Sequence, residues 1–123
     1  MSKRKMPVVY VAGPFRAPAP WGVEQNIRAA ESAAIVVAEL GAIPVCPHTM
    51  YRFFDKSLPD KFRLGAGLRL VDMCDAMVLL GLWSESRGAV RENARAKALG
   101  MPRFFWAEGP TALARWVKAI RRG

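Results

Sequence analysis

The stretch DAMVLLGLWSESRGAVRENARAKALG, residues 75–100, predicts a strand, a short turn and a helix in succession. The apolar run from Ala76 to Leu82 carries no charge, which is typical of a strand buried on both faces of a parallel sheet. A polar turn from Ser84 to Gly88 follows. The segment after it is rich in Ala, Arg and Lys and ends at Gly100 before Pro102, as helices commonly do.

This unit places polar residues beyond the carboxyl end of a strand, where α/β proteins bind their ligands. Ser86 and Gly88 lie in the turn, and Glu92 follows about one turn into the helix. Helical side chains tilt toward the N-terminus, so the Glu92 carboxylate leans back toward the turn. Such a carboxylate either compensates the helix dipole or faces a ligand, and spacing alone leaves both interpretations open.

The rest of the chain repeats the alternation of strand and helix. Further strands are expected at 7–12, 42–46 and 103–106, and further helices at 22–40, 65–74 and 111–121. This alternation predicts one α/β domain over residues 1–123, a flavodoxin-like or Rossmann-like three-layer sandwich. Right-handed crossovers favour a parallel sheet of four or five strands in the order 2-1-3-4.

In that order strands 1 and 3 are neighbours, so the turn after strand 1 shares a crevice with the turn that precedes Glu92. Gly13 in this first turn allows a close approach of backbone to a ligand. Arg16 offers a guanidinium fork for a phosphate or carboxylate, and a solvated arginine in an ordinary turn is the alternative. The convergence of the two turns predicts a binding site.

Three other segments lie near this predicted crevice. Asn26, in the first turn of a helix, is expected to bond the preceding loop, a ligand or water. His48 is the only histidine; we expect it to line the site, with an acid or base role as the second interpretation. Residues 51–64 are predicted to be irregular and to act as a lid.

Composition narrows the classes of function. The chain has 52% hydrophobic residues and no apolar run near the ~20 residues of a membrane span, and its N-terminus does not resemble a signal peptide. A basic, flexible segment is expected at residues 1–6. Two cysteines and one histidine predict neither a disulfide framework nor a metal site. Without a Walker or GxGxxG sequence we expect no cofactor, and we expect a cytoplasmic protein that binds no membrane.

The net charge of +9 leaves nucleic acid open as a partner. The cations are spread along the chain, and aromatic residues are not interleaved with them as they are in a stacking surface. A small anionic ligand or a basic, soluble surface accounts for the charge equally well. Nucleic acid is therefore the less favoured partner.

Several motifs taken together resemble the nucleoside 2-deoxyribosyltransferase superfamily. They are YVAGPFR at residues 10–16, CDAMVLL at 74–80, the SxGxxxE spacing of Ser86, Gly88 and Glu92, and the helix that ends in GMP at 100–102. The chain looks most similar to small phage and bacterial domains of unknown function in that group, and to the 2'-deoxynucleoside 5'-phosphate N-hydrolases. The resemblance covers residues 8 to about 106.

This resemblance implies cleavage of the N-glycosidic bond of a nucleoside or its 5'-monophosphate by a retaining route, with Glu92 as the nucleophile. It also implies a homodimer or larger homo-oligomer in which a neighbour closes each pocket. The aromatic residues Trp21, Trp83 and 104–106 are candidates for such an interface, with the core as the alternative. The implied substrate-binding residues are Tyr10, Gly13, Pro14, Phe15, Arg16, Ser86 and Gly88, to which we add Asn26, His48 and Trp83.

One departure from the family concerns the acid that assists the leaving base. The family places an aspartate eight residues before the position of Asp75, and this chain has Gly67 there. Asp72 is the candidate acid on the same segment, but it faces elsewhere unless the helix is shifted. The departure keeps a second hypothesis open, a nucleotide-binding or sensing module with weak or no catalysis.

Overall fold

Four parallel strands form the central sheet of the computed structural model, which describes residues 6–54 and 57–123. The strands lie in the order β2-β1-β3-β4, which confirms the predicted order and the α/β class. Tyr10 in the middle of β1 pairs with Val45 on one side and Met77 on the other. The strand bounds are β1 (Val8–Ala12), β2 (Ile43–Val45), β3 (Ala76–Leu79) and β4 (Arg103–Phe105).

Five α-helices in the described part of the chain flank this sheet. Their bounds are α1 (Pro20–Glu39), α2 (Pro47–Met50), α3 (Asp60–Asp72), α4 (Arg87–Ala98) and α5 (Thr111–Arg122). The apolar faces of α1 and α5 pack on one side in a core that includes Val9, Val11 and Val78. Residues of α3 and α4 pack on the other side against Ala12, Met77 and Leu79. The result is a three-layer sandwich.

The two-residue period of β1 directs one side chain toward the site. Val9 and Val11 point to the α1 and α5 side, so Tyr10 points to the α3 and α4 side. Tyr10 is only 1% exposed, and its ring extends under the N-terminal half of α4. The hydroxyl group of Tyr10 therefore enters the crevice above the sheet.

Two segments differ from the sequence-based prediction. Residues 47–50 form the short helix α2 rather than a loop, with Pro47 in the first turn, where a missing N–H group costs nothing. The helix α3 begins at Asp60 inside the segment 51–64 that was expected to be irregular. An acidic first turn favours that start, and tertiary packing outweighs the low helix propensity of Gly65 and Gly67.

The aromatic residues divide between core and surface. Phe104 and Trp106 pack against one core and Trp83 and Phe105 against the other, whereas Trp21 is 57% exposed. No helix within 6–54 and 57–123 is long and apolar enough to cross a membrane. The basic segment 1–6 falls outside the described residues except for Met6.

Candidate functional site

A cavity of about 500 Å³ opens at the carboxyl edge of the sheet, where the loop after β1 meets the N-terminus of α4. This is the crevice predicted from the strand order. The helices α2 and α3 also contribute to its lining, together with β1, Tyr51 and Glu85. The predicted site residues that line it are Tyr10, Gly13, Pro14, Phe15, Arg16, His48, Ser86, Gly88 and Glu92.

The carboxylate of Glu92 is one of the groups that line this cavity, and it forms a hydrogen bond with Tyr10. The Tyr10 hydroxyl donates a hydrogen bond of 2.6 Å to Glu92 Oε2. Burial raises the pKa of Glu92 to about 7, and the bond from Tyr10 acts in the opposite direction. Burial and the neighbouring carboxylate raise the pKa of Tyr10 far above its usual range, so Tyr10 stays a donor.

The N-terminus of α4 supplies the polar end of the cavity. Ser86 caps the helix, because its Oγ accepts a bond of 3.2 Å from the Ala89 amide. The amides of Arg87 and Gly88 precede the first bond of the helix, from the Val90 amide to the Ser86 carbonyl oxygen. Amides in this position attract an anion.

Two side chains hold the loop of residues 13–16 in place. His48 Nε2 donates to the Pro14 carbonyl oxygen at 2.8 Å, and Asn26 Nδ2 donates to the Phe15 and Arg16 carbonyl oxygens at 3.0 and 3.3 Å. Burial lowers the pKa of His48, which favours the neutral form of its ring. Its Nδ1 atom is buried and has no hydrogen-bond partner within the part of the chain that is described.

These contacts show which of the interpretations of Asn26 and His48 fits the structure. His48 lines the cavity wall, as expected, and its Nε2–H group is engaged with Pro14. Asn26 bonds the loop before its helix, which was one of the alternatives left open for it, and it does not line the cavity.

Sequence reasoning missed the contribution of α3 to the cavity. The Arg63 guanidinium group lies 4.8 Å from the Phe15 ring centroid and 5.8 Å from that of Tyr51. Asp60 forms an ion pair with Arg16 at the cavity mouth. An acidic residue directly after Pro59 was the available signal for a helix start, and it would have brought Asp60 and Arg63 to the same side of the site.

Besides Asn26, two more predicted site residues, Asp72 and Trp83, lie outside the cavity. Asp72 ends α3, five residues and hence about 140° around the helix from Gly67, and its Oδ1 accepts a bond of 2.6 Å from Arg95 Nε. The bond to Arg95 lowers the pKa of Asp72. Trp83 packs on Phe105, with ring centroids 6.0 Å apart. The expectation that these two side chains reach the site therefore needs correction.

A comparison with known protein families gives a match for this chain. A family model described as a domain of unknown function (DUF7768) matches residues 7–105. The matched range contains the whole cavity and all four strands. A search of curated proteins gave no match.

Proposed function

The chain belongs to the domain family DUF7768, and from its site we propose that it cleaves the N-glycosidic bond of a nucleoside or nucleoside 5'-monophosphate. The observation that carries this proposal is the Tyr10–Glu92 pair within the cavity. A carboxylate beside a bound sugar stabilises the positive charge that develops at the anomeric carbon.

In the proposed reaction, Glu92 attacks the anomeric carbon and forms a glycosyl ester. The electron pair of the carbon–nitrogen bond goes to the base, which takes up a proton from solvent. Water or a second base then attacks the same carbon and gives up a proton to solvent, and the Glu92 carboxylate leaves. Two displacements at one centre retain its configuration.

The two ends of the cavity support a nucleotide in one orientation. The N-terminus of α4 and Arg87 suit a 5'-phosphate. Phe15 and Tyr51, with Arg63 over both rings, offer flat surfaces for a base at the other end. The sugar between them then lies next to Glu92.

The experiment that tests the proposal is a chromatographic assay for free base. The protein is incubated with a panel of ribo- and deoxyribonucleosides and their 5'-monophosphates, alone and with a second base as acceptor. Release of base supports a hydrolase, and exchange of base supports a transferase. If no member of the panel loses its base above the rate without protein, the proposal is wrong.

The rate of base release should depend on pH through Glu92. Only the ionised carboxylate is a nucleophile, so kcat/KM is expected to rise with pH, with a midpoint near the Glu92 pKa of about 7, and then to level off. Tyr10→Phe removes a bond that lowers this pKa, so the midpoint should move to higher pH. A pH–rate profile for both proteins measures the shift, and identical midpoints would contradict the assignment.

A second candidate function is nucleotide binding without turnover. It is favoured by Gly67, which places main chain rather than an acidic side chain beside Glu92. Thermal stabilisation by monophosphates, together with no released base, would support this candidate over the enzyme.

We also propose a cytoplasmic homo-oligomer. Several large apolar side chains next to the cavity residues are exposed, and Phe53 is exposed by 88%. The thiols of Cys46 and Cys74 are both free, which suits a reducing compartment. The exposed apolar residues next to the cavity are Met50, Phe53, Phe54 and Phe62. Light scattering during size-exclusion chromatography measures the number of subunits and so tests this proposal.

A further inference from the structure

Gly67 lies directly against the Tyr10–Glu92 pair. A Cβ atom at this position would be 2.5 Å from Glu92 Oε2 and 3.1 Å from the Tyr10 hydroxyl oxygen. The first distance is below the 3.0 Å that real Cβ atoms keep from other atoms. In this chain a side chain at position 67 would therefore require the carboxylate of Glu92 to shift.

The other glycine of the same helix provides a contrast. Gly65 has no atom within 4 Å of its virtual Cβ, so nothing around it requires a glycine. Glycine inside a helix is unfavourable relative to alanine at both positions. At Gly67 that unfavourable choice coincides with a buried contact to the candidate nucleophile.

We infer that Gly67 is a positioning residue, whose bare main chain lets the Glu92 carboxylate lie between α3 and the Tyr10 hydroxyl group. The catalytic part of this inference rests on the proposed function. Oε2 accepts the bond from Tyr10 and lies against Gly67, so Oε1 is the oxygen left to approach an anomeric carbon. A side chain at 67 would displace the carboxylate by about 0.5 Å or more, the gap between 2.5 and 3.0 Å.

The kinetic test compares Gly67→Ala with Gly65→Ala, because both changes add one methyl group to α3. Gly67→Ala is expected to lower kcat about a hundredfold while KM changes by less than about threefold. The midpoint of the pH–rate profile should also move, since both the burial of Glu92 and its bond to Tyr10 change. Gly65→Ala should leave all three quantities unchanged. Equal behaviour of the two variants would overturn the inference.

A double-mutant cycle that measures Tm tests the contact between Gly67 and Glu92 without any enzymatic turnover. Gly67→Ala should lower the Tm of the wild-type chain by several degrees, because the methyl group meets Oε2. In a Glu92→Ala background that oxygen is gone, and Gly67→Ala should lower the Tm much less, because only the contact of 3.1 Å with the Tyr10 hydroxyl oxygen remains. The same loss of Tm in both backgrounds would refute the inference.

The double-mutant cycle remains informative even if one variant fails to fold. If Gly67→Ala alone is unfolded, a folded Gly67→Ala/Glu92→Ala double variant supports the inference, and an unfolded one overturns it. If the wild-type protein releases no base from any nucleoside or nucleotide, the proposed function is wrong. The Tm cycle still determines whether Gly67 makes room for Glu92, so the two failures are distinguishable.

Discussion

Glu92→Gln is expected to reduce base release by about a thousandfold or more, the largest loss of activity that we predict. Glutamine has nearly the same shape as glutamate, and its amide oxygen can still accept the bond from the Tyr10 hydroxyl group. It is a very poor nucleophile, so the glycosyl ester should not form. Single-turnover assays with the best substrate of the panel measure the loss, and a variant with wild-type rate would rule out Glu92 as the nucleophile.

The same variant is expected to be more stable than the wild-type protein at alkaline pH. The folded-state pKa of Glu92, about 7, lies above its ordinary value of 4.5. The folded protein therefore binds this proton more tightly than the unfolded chain, and stability falls as pH rises from 4.5 to above 7. The full loss is on the order of 3 kcal/mol. Glutamine does not titrate, so Glu92→Gln avoids that loss.

Thermal unfolding at pH 5 and pH 8.5 measures this effect. The difference in Tm between Glu92→Gln and wild type should grow toward the higher pH. Glu31→Gln is the matched control, because Glu31 is exposed on α1 away from the cavity. The difference in Tm between Glu31→Gln and wild type should be the same at both pH values. If Glu92→Gln loses activity and gains stability, the buried carboxylate of Glu92 lowers the stability of the fold and is needed for activity. A difference in Tm that stays constant with pH would contradict the raised pKa.

The sequence allowed the fold to be predicted because its strands are continuous apolar runs and its helices have clear ends. The run around Val78 and the stop at Gly100 are examples. The order of strands follows from handedness, and with it the meeting of the Gly13 loop and the Glu92 helix. Tyr10 and Glu92 were both identified, but their hydrogen bond depends on side-chain direction in β1 and α4, which a sequence pattern does not fix.

The parts that were missed depend on the start and rotation of α3. Two glycines made this helix appear weak in the sequence, so its first turn with Asp60 was assigned to an irregular segment. Gly67 looked like a missing acid, whereas the structure shows that it also makes room for the nearby carboxylate. Asp72 was considered because it is close in sequence, yet the helical rotation turns it toward Arg95.

Gly13→Ala is expected to produce the second large effect, a loss of about 1–3 kcal/mol in the free energy of unfolding. A Cβ at Gly13 would lie 2.6 Å from Leu80 Cδ1 and 2.9 Å from Leu80 Cβ. Leu80 is only 5% exposed, and its amide donates to the Ala12 carbonyl oxygen at 2.9 Å, so it has little freedom to move. The methyl group must therefore push apart the ends of β1 and β3.

Gly81→Ala provides the control for this prediction, since its virtual Cβ has no atom within 4 Å and it directly follows Leu80. Urea unfolding should show a lower midpoint for Gly13→Ala and an unchanged or slightly higher one for Gly81→Ala. The loop of residues 13–16 begins at Gly13, so the displaced strand end should also weaken the proposed binding of a nucleotide. If Gly13→Ala matches Gly81→Ala in stability, the contact with Leu80 is not what requires a glycine there, and close approach of the main chain to a ligand becomes the better explanation.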